Sequence, residues 1–271
     1  MTFRVRQPFD EPFPAGYVYR MGLCAYFKKR RRRQIISRFS VPDGLWTRVR
    51  RQLPVIDHLD PGRTDRLKTL TTVLAYEKTF LPLGGITIDE AMRVTVAALA
   101  ALPVLELGLD WLDDFTTISL TPQAFPDPVP RREGPLVTEY SGPLGGEVSV
   151  YGSIILSWPD VLRSGQGRGY NVVVHEIAHI LDKSNQSMDG CPYLTPEQDP
   201  ARWKKVFTAA YTDLRARLYT APPLDPYAGE SPSEFFAVVS EEFFDRPARL
   251  AFHYPDVYGE LVGFYKWDPR E

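Results

Sequence analysis

"NVVVHEIAHILDK", Asn171 to Lys183, places two of the chain's four histidines four positions apart, with a glutamate directly after the first, inside an apolar run. On an α-helix positions i and i+4 lie one above the other, so His175 and His179 point the same way. Val173, Val174, Ile177, Ile180 and Leu181 make the opposite, core-facing side. Ionisable groups on such a helix need a partner, because removing them from water costs on the order of several kcal/mol. A metal ion supplies one. Zinc accepts imidazole nitrogen at roughly 2.0–2.1 Å, and catalytic zinc sites use three protein ligands and a water. Glu176 can reach that water as a general base, so the stretch has the H-E-x-x-H pattern of zinc peptidases. The competing reading is a pair of core histidines satisfied by carboxylates or backbone, which the apolar, helical context disfavours.

The 271 residues can bury a sizeable core, and 44% hydrophobic with 24% charged residues is ordinary for a globular protein. Proline is not ordinary: 25 residues is nearly twice the average share of about 5% and predicts an irregular, loop-rich fold of short elements. A net charge of −2 and a pI near 6.1 argue against a body that tracks nucleic acid. Cys24 and Cys191 form no C-x-x-C pair, which argues against a disulfide scaffold and a cysteine-based zinc site and fits a reducing cytoplasm. No apolar run reaches the roughly 18–20 residues needed to span a bilayer, and the first 20 residues carry no signal-peptide core.

Residues 1–40 read as a disordered basic leader. Its "KKRRRR", Lys28 to Arg33, follows the apolar "GLCAYF" and is either a solvated run or a weak contact for an anionic surface. Met21 is an alternative start within it. Residues 41–114 read as an N-terminal helical region: "LWTRVRRQL", then Asp60 to Phe80, then a helix from near Ile88 to Leu102 opened by a Thr87–Glu90 capping box. Residues 115–271 read as the catalytic region, with 41–271 as one compact unit. There "FTTISL", "LVTEYSG", "EVSVYG" and "SIILSW" suggest a small mixed sheet ahead of the motif helix, and Ala201–Leu218 and Pro232–Phe244 suggest two further helices. An edge strand would hold an extended peptide by main-chain hydrogen bonds. Ser153, Ile154, Ile155 and Leu156 are the candidates, although period-2 patterning also suits an interior strand.

His58 and His253 are available as a third ligand, but carboxylate completes many two-histidine sites. On a helix from Pro232, Glu234 and Glu241 share a stripe. Ser231-Pro232-Ser233-Glu234 is also a capping box with proline at the first helical position, so pattern alone leaves Glu234 and Glu241 level. One would bind zinc and the other would accept a histidine's second N–H.

"HEIAHILD", "LPVLELGLDWLDDF", "YGSIILSW", "DPYAGESPSEFFAVVSEEFF" and "FYKWDP" together resemble the Mlc titration factor A family of bacterial zinc peptidases over roughly residues 41–269. That resemblance implies an α+β, zincin-like metallopeptidase with one Zn2+ per chain. It implies Glu234, in "PSEFFAV", as the third ligand beside His175 and His179. Its catalytic part is similar to that of anthrax lethal factor, which implies that Tyr227, seven residues before Glu234, aids catalysis. The resemblance also implies aminopeptidase-type activity and a repressor of the Mlc type as a partner. In this reading Glu176 moves the proton, Tyr227 steadies the oxyanion, and Glu241 and Asp182 orient the ligands. Two rivals are a metal-bearing regulator that sequesters a repressor, and a closed structural zinc site, against which Glu176 speaks.

Overall fold

The computed structural model describes residues 15–123, 146–149, 153–185 and 187–271, in two units divided between Ser40 and Val41. In the first lies one helix, α1 (Ala15–Arg38). This helix falls within the stretch read from the sequence as a basic leader, whose residues 1–14 lie outside the described residues. α1 has no proline, and strong helix formers (Ala, Leu, Met, Lys, Arg, Gln) fill more than half of it.

The second unit runs in the order α2 (Asp43–Gln52), α3 (Pro54–Asp57), α4 (Pro61–Glu77), β1 (Thr79–Pro82), α5 (Glu90–Ala101), β2 (Thr117–Thr121), β3 (Gly146–Ser149), β4 (Ser153–Ser157) and α6 (Trp158–Arg163). It continues with α7 (Val172–Asp182), α8 (Pro200–Arg217), α9 (Pro232–Asp245), α10 (Pro247–His253) and α11 (Pro255–Tyr265). The result is α+β and largely helical. Proline stands in the first turn of α3, α4, α6, α8, α9, α10 and α11. There its missing N–H costs nothing and its fixed φ favours the helix. Seven of the 25 prolines therefore open α-helices, a use of proline beyond the turns expected from its abundance.

The sheet has the order β1-β2-β4-β3. β1, β2 and β4 are parallel, and β3 pairs antiparallel with β4. Two readings of the sequence change here. Thr79 and Phe80 were expected to extend the helix that ends at Glu77, but they open β1. The buried Lys78 ammonium donates to the carbonyls of Leu112 (2.7 Å) and Phe115, which draws the chain out of the helix and onto β2. The α5 cap is Asp89, whose carboxylate accepts the Met92 N–H at 2.8 Å, not Thr87. Because β1 belongs to the same sheet as β2 and β4, no structural division falls at residue 114. "LVTEYSG" lies outside the described residues.

α5 is buried along Val94–Ala101 and forms the centre of the helical side. α7 packs on β3 and β4 and lies against α9, whose residues Phe235 to Phe244 are all buried. Behind α9 the Trp203 indole stacks on Phe207, with ring centroids 4.1 Å apart, and meets Phe236 at 6.0 Å and Phe264 at 5.8 Å. Its N–H donates to the Gly190 carbonyl at 3.0 Å. Truncation of so large a buried ring leaves a cavity. Trp203→Ala is expected to lower stability by about 3–5 kcal/mol, read from urea unfolding of variant and parent.

Candidate metal centre

α7 is held at its start by three carbonyl or carboxylate acceptors. Asn171 caps it, its Oδ1 accepting the Val174 N–H at 3.2 Å. The Glu241 carboxylate accepts the Asn171 N–H at 2.5 Å. In the preceding loop Gly167 and Gly169 have φ of 73° and 75°, and both N–H groups donate to the Asp245 carboxylate. Glycine alone adopts that backbone at little cost. α9 is capped by Ser231, whose Oγ accepts the Glu234 N–H at 3.1 Å. The capping box and a ligand-type carboxylate therefore coexist in Glu234: its backbone serves the cap while its side chain turns toward α7.

On the facing surfaces of these helices, His175 Nε2, His179 Nε2 and Glu234 Oε2 converge. The two nitrogens are 3.1 Å apart, and the carboxylate oxygen lies 3.1 Å from the first and 3.3 Å from the second. The opposite ring nitrogens decide what those atoms offer. His175 Nδ1 lies 2.8 Å from Glu241 Oε1, which can only accept, so Nδ1 carries the proton. His179 Nδ1 lies 3.1 Å from Ser233 Oγ, which donates its own hydrogen to Asp182 Oδ2 at 2.7 Å; again Nδ1 carries the proton. With both rings neutral, the two Nε2 atoms present lone pairs to each other and to a carboxylate oxygen.

Three lone-pair donors at this separation repel unless a cation lies among them. Edges of 3.1–3.3 Å belong to a tetrahedron whose centre is about 1.9–2.0 Å from each corner, close to the lengths at which imidazole and carboxylate bind Zn2+. The residues present fit a small divalent metal. Burial opposes a charged His175, yet Glu234 and Glu241 outweigh it and push the imidazole well above its usual range, so the carboxylates favour positive charge at this point, whether a proton on Nε2 or a metal ion supplies it. Partial burial would raise the pKa of Glu234, but the two histidines hold it well below the ordinary carboxylate range. With its side chain 20% exposed against 5% and 8% for the histidines, Glu234 is the most open of the three.

The remaining expected residues gather around this point, except for one group. Glu176 is buried beside His175, and its charge acts on both His175 and Tyr227. Tyr227 lies in a single helical turn, Pro226–Gly229, fixed by the Asp225 carboxylate on the Tyr227 N–H at 2.9 Å. Its ring is 6.1 Å from that of His175. Burial, then the carboxylates of Glu234 and Glu176, hold its hydroxyl well above the usual phenol range, so it stays protonated. Asp182 also accepts the Gly190 N–H at 3.0 Å, and burial raises its pKa. Ser153, Ile154, Ile155 and Leu156 do not form an edge. They lie on β4, paired on both sides by β2 and β3; among the described residues the edge on that side is β3. His58 and His253 are absent from the cluster. Ser233 was missed by the sequence reading, since a serine inside "SPSE" carries no signal beyond capping.

A family profile described as "Glucose-regulated metallo-peptidase M90" matches residues 27–266. Mlc titration factor A of Enterobacter sp. (strain 638) is 33% identical over 243 residues, 87% of this chain and 91% of that protein. The namesake from Serratia proteamaculans (strain 568) is 36% identical over 225 residues, covering 80% and 85%. That from Edwardsiella ictaluri (strain 93-146) is 34% identical over 229 residues, covering 81% and 86%. With an H-E-x-x-H helix laid on a small mixed sheet in a zincin-like α+β fold, and with a profile match over most of its length, this chain belongs to the glucose-regulated metallo-peptidase M90 family.

Proposed function

We propose that the chain is a zinc-dependent peptidase of the cytoplasm in which His175, His179 and Glu234 hold the metal. The observation that carries the proposal is the convergence of His175 Nε2, His179 Nε2 and Glu234 Oε2 within 3.1–3.3 Å of one another. Bound zinc supplies a Lewis acid that makes water nucleophilic at neutral pH and polarises a carbonyl. The protein's own groups do the rest. Glu241 and the Ser233–Asp182 pair keep both imidazoles in the tautomer that leaves Nε2 bare. A carboxylate oxygen of Glu176 takes the proton from the attacking water and delivers it to the leaving amine nitrogen. The Tyr227 hydroxyl, kept protonated by its surroundings, donates to the carbonyl oxygen as negative charge develops there. β3, beside β4 at the sheet edge, is the segment suited to align an extended peptide by main-chain hydrogen bonds.

A second reading has one specific support. The relatives are named for titration of Mlc, which favours sequestration of a repressor of that type, alone or beside peptide hydrolysis. Co-purification with such a repressor tests it, and retention of binding by a Glu176→Gln protein would separate it from peptidase activity.

Three variants test the mechanism. Glu176→Gln is expected to keep stoichiometric zinc while losing about 10²–10⁴-fold in kcat on a peptide library; parent-like turnover would remove Glu176 as the base. Comparison of free and N-acetylated peptides in the same assay tests the aminopeptidase mode. Tyr227→Phe is expected to lower kcat and kcat/KM together by roughly 10–1000-fold with KM nearly constant, whereas a packing role would lower the melting temperature and leave turnover per zinc unchanged. Ser233→Ala is expected to weaken zinc retention by about 10–100-fold in chelator competition, with unchanged retention showing that the hydroxyl only packs.

A further inference from the structure

α1 belongs to the unit that the metal centre does not use. Between Ala15 and Arg38 it contains eight basic residues and no acidic one. Residues 1–40 hold ten basic and two acidic residues, a net +8. Residues 41–271 hold 22 and 32, a net −10. A chain of near-neutral total charge is thus divided into a cationic leader and an anionic body, which composition alone conceals.

The charges within α1 are segregated along its length rather than around it. Tyr17 to Phe27 reads "YVYRMGLCAYF", nine of eleven positions apolar or aromatic, and the next six residues are all cationic. Lys28, Lys29, Arg30, Arg31 and Arg33 are exposed, as are Phe27 (60%), Ile36 (46%) and Phe39 (43%). We propose that α1 docks on an anionic lipid surface, its apolar half entering the boundary between headgroups and acyl chains and Lys28, Lys29, Arg30, Arg31 and Arg33, but not the buried Arg32, lying among the phosphates.

The apolar half decides between the two polyanions that such a run could meet. A duplex or single strand gains from cations and stacking rings, but has no use for Val18, Met21, Leu23 and Ala25 set end to end. A bilayer interface takes them all, aromatic side chains in particular. No helix among the described residues is long and apolar enough to cross a membrane, so the contact is peripheral. Near an anionic leaflet each lysine or arginine strengthens binding about fivefold, within a screening length of about 8–10 Å at physiological salt.

The test is co-sedimentation of the full chain with phosphatidylcholine vesicles, with and without phosphatidylglycerol, at low and high salt. The chain is expected to bind only the phosphatidylglycerol vesicles, and to release as salt rises. Lys28→Gln, Lys29→Gln, Arg30→Gln and Arg31→Gln together should weaken that binding by on the order of 100-fold or more. Leu23→Ser with Phe27→Ser should weaken it at unchanged charge. Melting temperature of the main unfolding transition should match the parent in both. Equal binding to neutral vesicles, undiminished binding by the quadruple variant, or tighter binding of duplex DNA than of anionic vesicles at the same salt would overturn the proposal.

Discussion

Two helices face each other across three lone pairs, and the rest of the second unit keeps them there. α7 contributes two imidazole nitrogens and α9 a carboxylate oxygen, all within 3.3 Å. With neither a proton nor a metal ion among them, this is a costly contact for a buried interface. The compensation is arranged outside the triangle. Glu241 holds His175 and the first N–H of the α7 entry at once, so one side chain fixes both the ring and the helix that bears it. Ser233 and Asp182 do the same for His179 and the Gly190 loop.

α9 consequently does more than present Glu234 to α7. Ser233, Glu234 and Glu241 face the centre, while Asp245 at its end secures the glycine loop before α7. Glu242 instead pairs with Arg246 and Arg249. Gly190 illustrates how close the approach is. It has φ of 77°, and a Cβ there would lie 2.4 Å from the Pro232 carbonyl oxygen, so the loop after α7 can reach the start of α9 only because that position is glycine.

Sequence patterns revealed the parts of this arrangement that depend on local periodicity. The i,i+4 histidines mark the helix and its functional face, and the capping box marks the start of α9, so His175, Glu176, His179 and the pair Glu234 and Glu241 were all visible as candidates. What was hidden depends on distant partners. Thr79–Pro82 becomes a strand because Lys78 finds carbonyls at Leu112 and Phe115, residues no local window contains. β4 is interior because β3 covers its free side. Ser233 matters through His179 and Asp182, 54 and 51 positions away. The helix α1 carries no periodic apolar stripe, and its arginines and lysines, good helix formers, read in the sequence only as a charge run.

The parallel strand pairs have a cost that appears only in time. Thr79 meets Thr117 and Thr117 meets Ser153, partners nearly forty residues apart, and His175 meets Glu241 across 66. Each of these closures surrenders chain entropy before any contact repays it. A newly made chain must therefore wait for its C-terminal third before the two helices can meet, and until then the glutamates of α9 are missing. An H-E-x-x-H segment alone cannot complete the His175–His179–Glu234 cluster, so this topology delays its assembly until most of the polypeptide has been synthesised.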